Sequence, residues 1–470
     1  MLFPTIDFAV FFAVVFLGHW LLNPKPLPWK LFMIGASYFF YAWWNPNFVW
    51  LLAGVSLLSQ LGALAVRRQT EERARRWTMG IAVALTLAPL VYFKYYGFFS
   101  VNVTNASSSL GLHLSPPLIQ LTLPVGISFF TFMGVAYIVD VYRRQFEPAS
   151  WIDAFLYLSF FPHLVAGPIV RPDELIPQLD VRRDPRHVDV VGASYLIFGG
   201  LFKKVVVSSY LATTIVDPVF ADPARHSALE VLVGVWAYAI VIYADFSGYT
   251  DIAIGIAKLL GFQFPQNFDR PYSARSLQDF WRRWHITLSR YLRDYLYIPL
   301  GGSKKGEIRT YVNLFLTMVL GGLWHGAAWT FVLWGAYYGV GQSIGAWKRK
   351  HLPPPDETPA RLWGQRIVTF NLVCLGWIFF RSDSVASALA MIGRLFTGWG
   401  QPSPLLNPLV LFTIFGMLAL QYLPHRPATL LQERVSHLHP VVMGLVFGGA
   451  LFIISTMGPQ GVAPFIYFQF

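Results

Sequence analysis

The sequence predicts an all-α, polytopic membrane protein, and three observations carry that prediction. The 470 residues are 55% hydrophobic and 17% aromatic but only 13% charged, with a mean hydropathy of +0.48. That is too little charge to solvate the surface of a soluble protein of this size. Apolar runs close to the ~20 residues a helix needs to cross a bilayer recur along the whole chain. The excess positive charge gathers in a few loops, as it does in membrane proteins with a cytoplasmic side.

Taken in order, the apolar segments fall at roughly 5–22, 30–46, 48–66, 77–98, 118–139, 152–170, 190–218, 228–260, 311–345, 367–380, 405–423 and 439–457. They amount to about eleven or twelve membrane segments. The start, Met1 to Asp7, has no basic n-region and no small-residue cleavage site, so the first segment is expected to stay as a helix. Arg67, Arg68, Arg73, Arg75 and Arg76 fill one loop, whereas 99–117 holds no Lys or Arg, which places the first loop in the cytoplasm and the second outside. Three crossings precede Arg67, so the N terminus is expected to face outward. The basic stretches 348–366 and 425–438 return to the cytoplasm, and the last span carries the C terminus out. The net charge of +12 is thereby read as topology and not as a nucleic-acid surface. No repeat or soluble linker interrupts the pattern and the Pro-rich 353–359 reads as a loop, so a single integral membrane domain over 1–470 is expected.

Within this hydrocarbon, titratable side chains mark the places to look for function, because a polar group there costs free energy unless it has a partner or a task. Two histidines stand out: His285 in Phe280-Trp-Arg-Arg-Trp-His285, and His325 in Gly321-Gly-Leu-Trp-His-Gly326. Ser276-Leu-Gln-Asp279 resembles a capping box. After it, Leu277, Phe280, Trp281, Trp284, Leu288, Tyr291, Leu292 and Tyr295 follow at helical spacing, with Arg283, Arg290 and Arg293 opposite. An amphipathic helix lying in the cytoplasmic interface near 276–296 is expected, with His285 at the edge of its apolar arc. His325 falls in the middle of the nearly uncharged 313–338, where Gly321, Gly322 and Gly326 let a backbone or a substrate approach.

Asp245 and Asp251, six positions apart in Tyr243-Ala-Asp-Phe-Ser-Gly-Tyr-Thr-Asp251, cannot share one helical face, so a carboxylate dyad is not expected. Each is expected to pair with an arginine of 270–293, the alternative being to line a hydrophilic path, where Asp245 is a candidate tunnel group. Lys203 and Lys204 are expected to snorkel to an interface. His163, beside a Pro-broken helix, reads equally as a path-lining or a structural histidine. Cys374, the single cysteine, excludes an intrachain disulfide and a cysteine metal cluster. The absence of Gly-x-Ser-x-Gly, His-Glu-x-x-His and Walker sequences removes support for serine hydrolase, zincin and P-loop readings. A transporter or flippase would also use intramembrane Asp and His, but it usually shows corresponding broken helices in two halves, and no such symmetry is visible.

Five motifs together carry a resemblance: Leu123-Pro-Val-Gly-Ile-Ser-Phe-Phe-Thr-Phe132, Tyr243 to Asp251, Phe280-Trp-Arg-Arg-Trp-His-Ile-Thr-Leu-Ser289, Leu323-Trp-His-Gly326 and the terminal Phe465-Ile-Tyr-Phe-Gln-Phe470. In this order they resemble the membrane-bound O-acyltransferase family, nearest its bacterial branch of alginate O-acetyltransferase membrane subunits and teichoic acid D-alanyl transferases. Met133 departs from the glutamine expected after Phe132. The resemblance implies helices ringing a tunnel in a bacterial inner membrane, with an acyl thioester, acetyl-CoA or an acyl carrier, presented from the cytoplasm. It also implies a periplasmic polysaccharide-acetylating partner, and His325 and His285 as the two active-site histidines. D-alanyl or lipid O-acyl transfer is the alternative within the family.

The chemistry agrees with that reading. A hydroxyl far above pH 7 in pKa attacks a thioester poorly, and an imidazole near 6.5 can take its proton and return it to the leaving thiolate. His325 is the expected base. His285, Trp324 and Asn313, in that order, are candidate donors to the oxyanion. Arg282, Arg283 and Arg290 are expected to hold the donor or its carrier. No metal is required. Tyr467 is a candidate acyl relay, since a phenol of pKa ~10 makes a better leaving group than an alkyl alcohol.

Overall fold

In a computed structural model, the described residues are 1–457 except 113, 115, 118, 120, 354–356 and 425, and among them the chain is helical throughout, with no strand. Contacts divide it into two compact units, Met1–Ala193 with Ala253–Pro265, and Ser194–Ile252 with the chain from Gln266 onward. Among the described residues five helices are long and apolar enough to cross a membrane: Pro46–Arg68, Glu72–Ser109, Val190–Ala221, Ala228–Leu259 and Pro359–Arg381. Shorter apolar helices accompany them. The chain is a multi-pass, all-helical membrane protein.

The first unit holds α1 (Ile6–Leu22), α2 (Pro26–Ala42), α3 (Val49–Arg68), α4 (Glu72–Ser109), α5 (Ile127–Tyr142), α6 (Trp151–Ser159), α7 (Phe161–Leu164) and α8 (Pro172–Leu179). α4 runs on through 99–109, which the charge pattern assigned to an outer loop. The polar residues there bond back to their own helix, as in Asn102 to the Phe98 carbonyl (2.7 Å) and Thr104 to the Ser100 carbonyl (3.0 Å), so they extend the helix instead of ending it. α5 begins only at Ile127, after the left-handed Gly126, whose added Cβ would press on the Leu164 carbonyl. The expected span 152–170 is broken at Phe160, where Pro162 starts a new short helix. Lys30 is satisfied inside this unit by Asp153 and Asp180, each at 2.6 Å. His163 takes the structural role: its Nε2 lies 2.9 Å from the Tyr157 carbonyl and its ring stacks on Phe264.

α9 (Val190–Leu201) enters the second unit and continues through wide π-type turns to Ala221, and α10 (Ala228–Leu259) lies against it. The two backbones touch where Gly200 meets Gly248: a Cβ on either would stand 2.5 or 2.7 Å from the other's carbonyl oxygen. That close approach brings successive lysines to the two aspartates. Lys204 pairs with Asp245, both almost fully buried, and Lys203 pairs with Asp251 and donates to Ser247 at 3.0 Å. The expectation that these aspartates pair with arginines of 270–293, and that the lysines snorkel, is corrected: a buried charge takes the nearest complementary one that the helix crossing supplies.

The segment expected as one helix near 276–296 is two: α11 (Leu277–Arg283) and α12 (Ile286–Leu292), followed by a π-type turn at Arg293–Tyr297. Ser276 does cap α11, accepting from the Asp279 amide at 3.1 Å. The apolar run 311–345 is a hairpin of α13 (Glu307–His325) and α14 (Trp329–His351), turning at Gly326-Ala-Ala328. Its open ends are tied together, with Glu307 meeting Lys350 at 2.5 Å and His351 at 2.7 Å. The remaining helices are α15 (Pro359–Arg381), α16 (Val385–Arg394), α17 (Pro408–Leu420), α18 (Arg426–Ser436) and α19 (Pro440–Met457). Cys374 is buried in α15.

Candidate active site

His325 is the last residue of α13, at the turn of the hairpin and not in the middle of a span. Eighteen residues of helical rise put it about 27 Å from Glu307. It is 5% exposed and boxed by aromatic rings: Trp324 at 4.9 Å between centroids, Trp334 at 5.1 Å and Phe380 at 5.2 Å. The box forms because α13 and α14 approach closely. Gly322 faces the Gly335 backbone at 3.2 Å from where a Cβ would stand, and Gly339 faces Phe315 at 2.9 Å.

His285 reaches the same place from the break between α11 and α12. Its backbone is left-handed (φ 43°, ψ 57°), a conformation that costs a non-glycine residue about 1–3 kcal/mol. Two backbone bonds hold it there, from the Asp269 amide to the Arg283 carbonyl and from the Ile286 amide to the Asn267 carbonyl, each 2.9 Å. Turned inward by this kink, His285 is 1% exposed, edge-on to Phe246 at 4.7 Å and stacked at 6.5 Å on Phe268. Its ring centroid lies 6.2 Å from Trp324. One indole thus touches both imidazoles, forty residues apart in sequence.

The other expected site residues do not all gather here. Asn313 precedes His325 by twelve residues on α13, about 18 Å along the axis. It donates to the Gly302 carbonyl at 2.9 Å, bracing the turn before the hairpin. Asp245 adjoins Phe246 in sequence but is turned to Lys204. Arg283 is partly neutralised by Asp279 at 2.8 Å, and Arg290 is half-buried. Arg282 is exposed, and it lies close enough to Arg349 to be felt there as a like charge. Tyr467 lies outside the described residues.

Two residues escaped the sequence reading. Trp334 presents a buried indole N–H, a donor only, that meets no hydrogen-bond partner among the described residues, against the His325 ring. Asn267 is fully buried and bonds to His285. The signal for Trp334 was its place on the helix after His325; for Asn267 nothing local stood out. Among the described residues no three His, Cys, Asp or Glu side chains come together as a metal site would require.

Comparison with known proteins places the chain in context. Residues 36–382 match the model of the membrane-bound O-acyltransferase family, MBOAT. The chain is 40% identical to the probable alginate O-acetylase AlgI of Pseudomonas putida, over 84% of this chain and 80% of the relative. It is 39% identical to the probable alginate O-acetylase AlgI of Pseudomonas aeruginosa, over 90% and 80%. It is also 36% identical to the peptidoglycan O-acetyltransferase of Helicobacter pylori, over 83% and 78%.

Proposed function

Since the chain belongs to the membrane-bound O-acyltransferase family and is a membrane O-acyltransferase, we propose that it carries acetyl groups from a cytoplasmic thioester, acetyl-CoA or an acylated carrier protein, to hydroxyls of an exported polysaccharide such as alginate. The observation that carries this reading is the pair of buried histidines on one indole, His285 and His325, at the far end of a hairpin whose other end is basic. His325 takes the proton of the attacking hydroxyl as the new C–O bond forms. It returns that proton to the thiolate when the C–S bond breaks. Trp334 joins Trp324 as a candidate oxyanion donor, while Asn313 is too far along α13 to serve. The aromatic box keeps water from competing for the thioester.

The positive loops at 67–76 and 348–366 support a cytoplasmic side that includes the Glu307–Lys350 end of the hairpin, with both termini outward in a bacterial inner membrane. Arg282 and Arg349, exposed and close together, suit the phosphates of coenzyme A or the acidic face of a carrier. A periplasmic partner would then receive or deliver the acceptor. The printed function of the Helicobacter pylori relative makes peptidoglycan the second acceptor to test.

The deciding experiment is His325→Ala in proteoliposomes supplied with labelled acetyl donor and alginate or peptidoglycan fragments. Loss of about 10²–10⁴ in acetyl transfer is expected from removing a general base. The variant should insert and melt like wild type. Wild-type transfer by that folded variant would refute the assignment.

A further inference from the structure

The hydrogen-bonding of Asn267 decides which proton His285 carries. The side-chain oxygen of Asn267 accepts from the Thr287 backbone amide at 3.2 Å and from the Thr287 hydroxyl at 2.9 Å, and lies 3.1 Å from His285 Nδ1. A backbone N–H can only donate, so this atom of Asn267 is the oxygen and not the nitrogen; the flipped amide would set donor against donor. An oxygen in that position needs a proton from Nδ1. In a neutral imidazole the other nitrogen is then bare. His285 Nε2 is indeed buried and meets no hydrogen-bond partner among the described residues.

We infer that Asn267 is a positioning residue that locks His285 in the Nδ1–H tautomer, so that His285 enters acyl transfer as a hydrogen-bond acceptor through Nε2 and not as an oxyanion donor. This rests on the acyltransferase reading above for its role in the reaction, but not for the tautomer itself. It also revises the expected order of oxyanion donors, in which His285 stood first. A neutral Nε2 beside the indole that His325 also packs against can accept a hydrogen bond from a second hydroxyl of the sugar and so orient it, while His325 takes the proton of the attacking hydroxyl and returns it to the leaving thiolate. The same Asn267 supplies, through its backbone carbonyl, the bond to Ile286 that holds the left-handed kink. One residue therefore sets both the direction of the imidazole and its proton.

The test is nitrogen NMR on purified protein with labelled histidine, with His285 identified among the eleven histidines by difference against His285→Gln. Wild type should show a protonated Nδ1 and a bare Nε2 at His285 near neutral pH. Asn267→Ala should mix the tautomers and lower acetyl transfer about 10- to 100-fold, the range for removing an imidazole's orienting partner. Asn267→Asp keeps the shape and adds a carboxylate that favours imidazolium. The acid limb of its rate profile should therefore move up by about one pH unit or more, a change that a merely structural role would not produce. An Nε2–H tautomer in wild type, or an unshifted profile for a folded Asn267→Asp, overturns the inference. Failure of wild type to acetylate any polysaccharide with the NMR result intact would instead count against the proposed acceptor.

Discussion

Gly335→Ala tests whether the hairpin places His325. A Cβ at Gly335 would stand 2.5 Å from the Met318 carbonyl oxygen and 2.7 Å from the Val319 Cα, both backbone atoms of α13 that cannot swing aside. Ordinary van der Waals contact begins near 3.4 Å, so the helices must part by about 0.9 Å at that point. Overpacking of this kind costs about 1–3 kcal/mol, offset by the ~1 kcal/mol that alanine gains over glycine inside a helix. The larger effect is geometric. Trp334, the residue before Gly335, packs on His325, and a displacement near 1 Å at a catalytic group costs about 10²-fold in rate. The matched control is Gly364→Ala in α15, where nothing lies within 4 Å of the added methyl; it should leave the rate unchanged and stabilise by up to ~1 kcal/mol. Acetyl transfer and thermal melting in detergent are measured on both. A Gly335→Ala protein with wild-type rate and a raised melting temperature would mean that the hairpin does not set the position of His325.

Two further perturbations follow from charge. Lys204→Met should destabilise by about 3–5 kcal/mol, because it removes the buried cation paired with the Asp245 carboxylate, while Lys204→Met with Asp245→Leu should recover most of that; equal melting temperatures for the single and double variants would refute the pairing. Lys350, with Tyr311 and His351, holds the Glu307 carboxyl down to about 2. A depressed carboxyl contributes stability that is complete above its unfolded pKa of ~4.3 and is lost as pH falls toward 2. Wild type should therefore exceed Glu307→Gln in melting temperature at neutral pH, with the gap closing between about pH 4.3 and 2; a gap independent of pH would exclude the ion pair as its source.

The long apolar helices were legible because hydropathy survives any tertiary arrangement, and both histidines stood out because hydrocarbon tolerates so few titratable groups. The misreadings have physical causes that differ from one another. As a single helix 311–345 would measure about 52 Å, too long for a ~30 Å hydrocarbon core, so length alone argued for the hairpin. It was hidden because Gly326-Ala-Ala328 carries no Pro, Asn or Asp to announce a turn. The break at Trp284-His285 contains neither Gly nor Pro; it is imposed from outside the segment by Asn267 and Asp269, and no local pattern could reveal it. The lysine partners of Asp245 and Asp251 depend on the register of α9 against α10, which the Gly200–Gly248 contact decides and periodicity does not. Asn313, by contrast, could have been set aside from helical rise alone.

Two separate devices therefore converge on Trp324. His325 is carried by a helix pair whose backbones touch at glycines and whose open end is pinned by Glu307, so its position is a property of the whole hairpin. His285 is carried by a short strained link whose energy is met by hydrogen bonds from a single neighbouring segment, so its position is local. Under the proposed function, a base that meets a thioester from the far end of the hairpin is best fixed to the rigid element. An acceptor that must suit the shape of the incoming hydroxyl can be tuned on the short one without disturbing the other. On that same proposal, the donor half of the reaction is held by α13 and α14, and the acceptor half by His285 and Asn267.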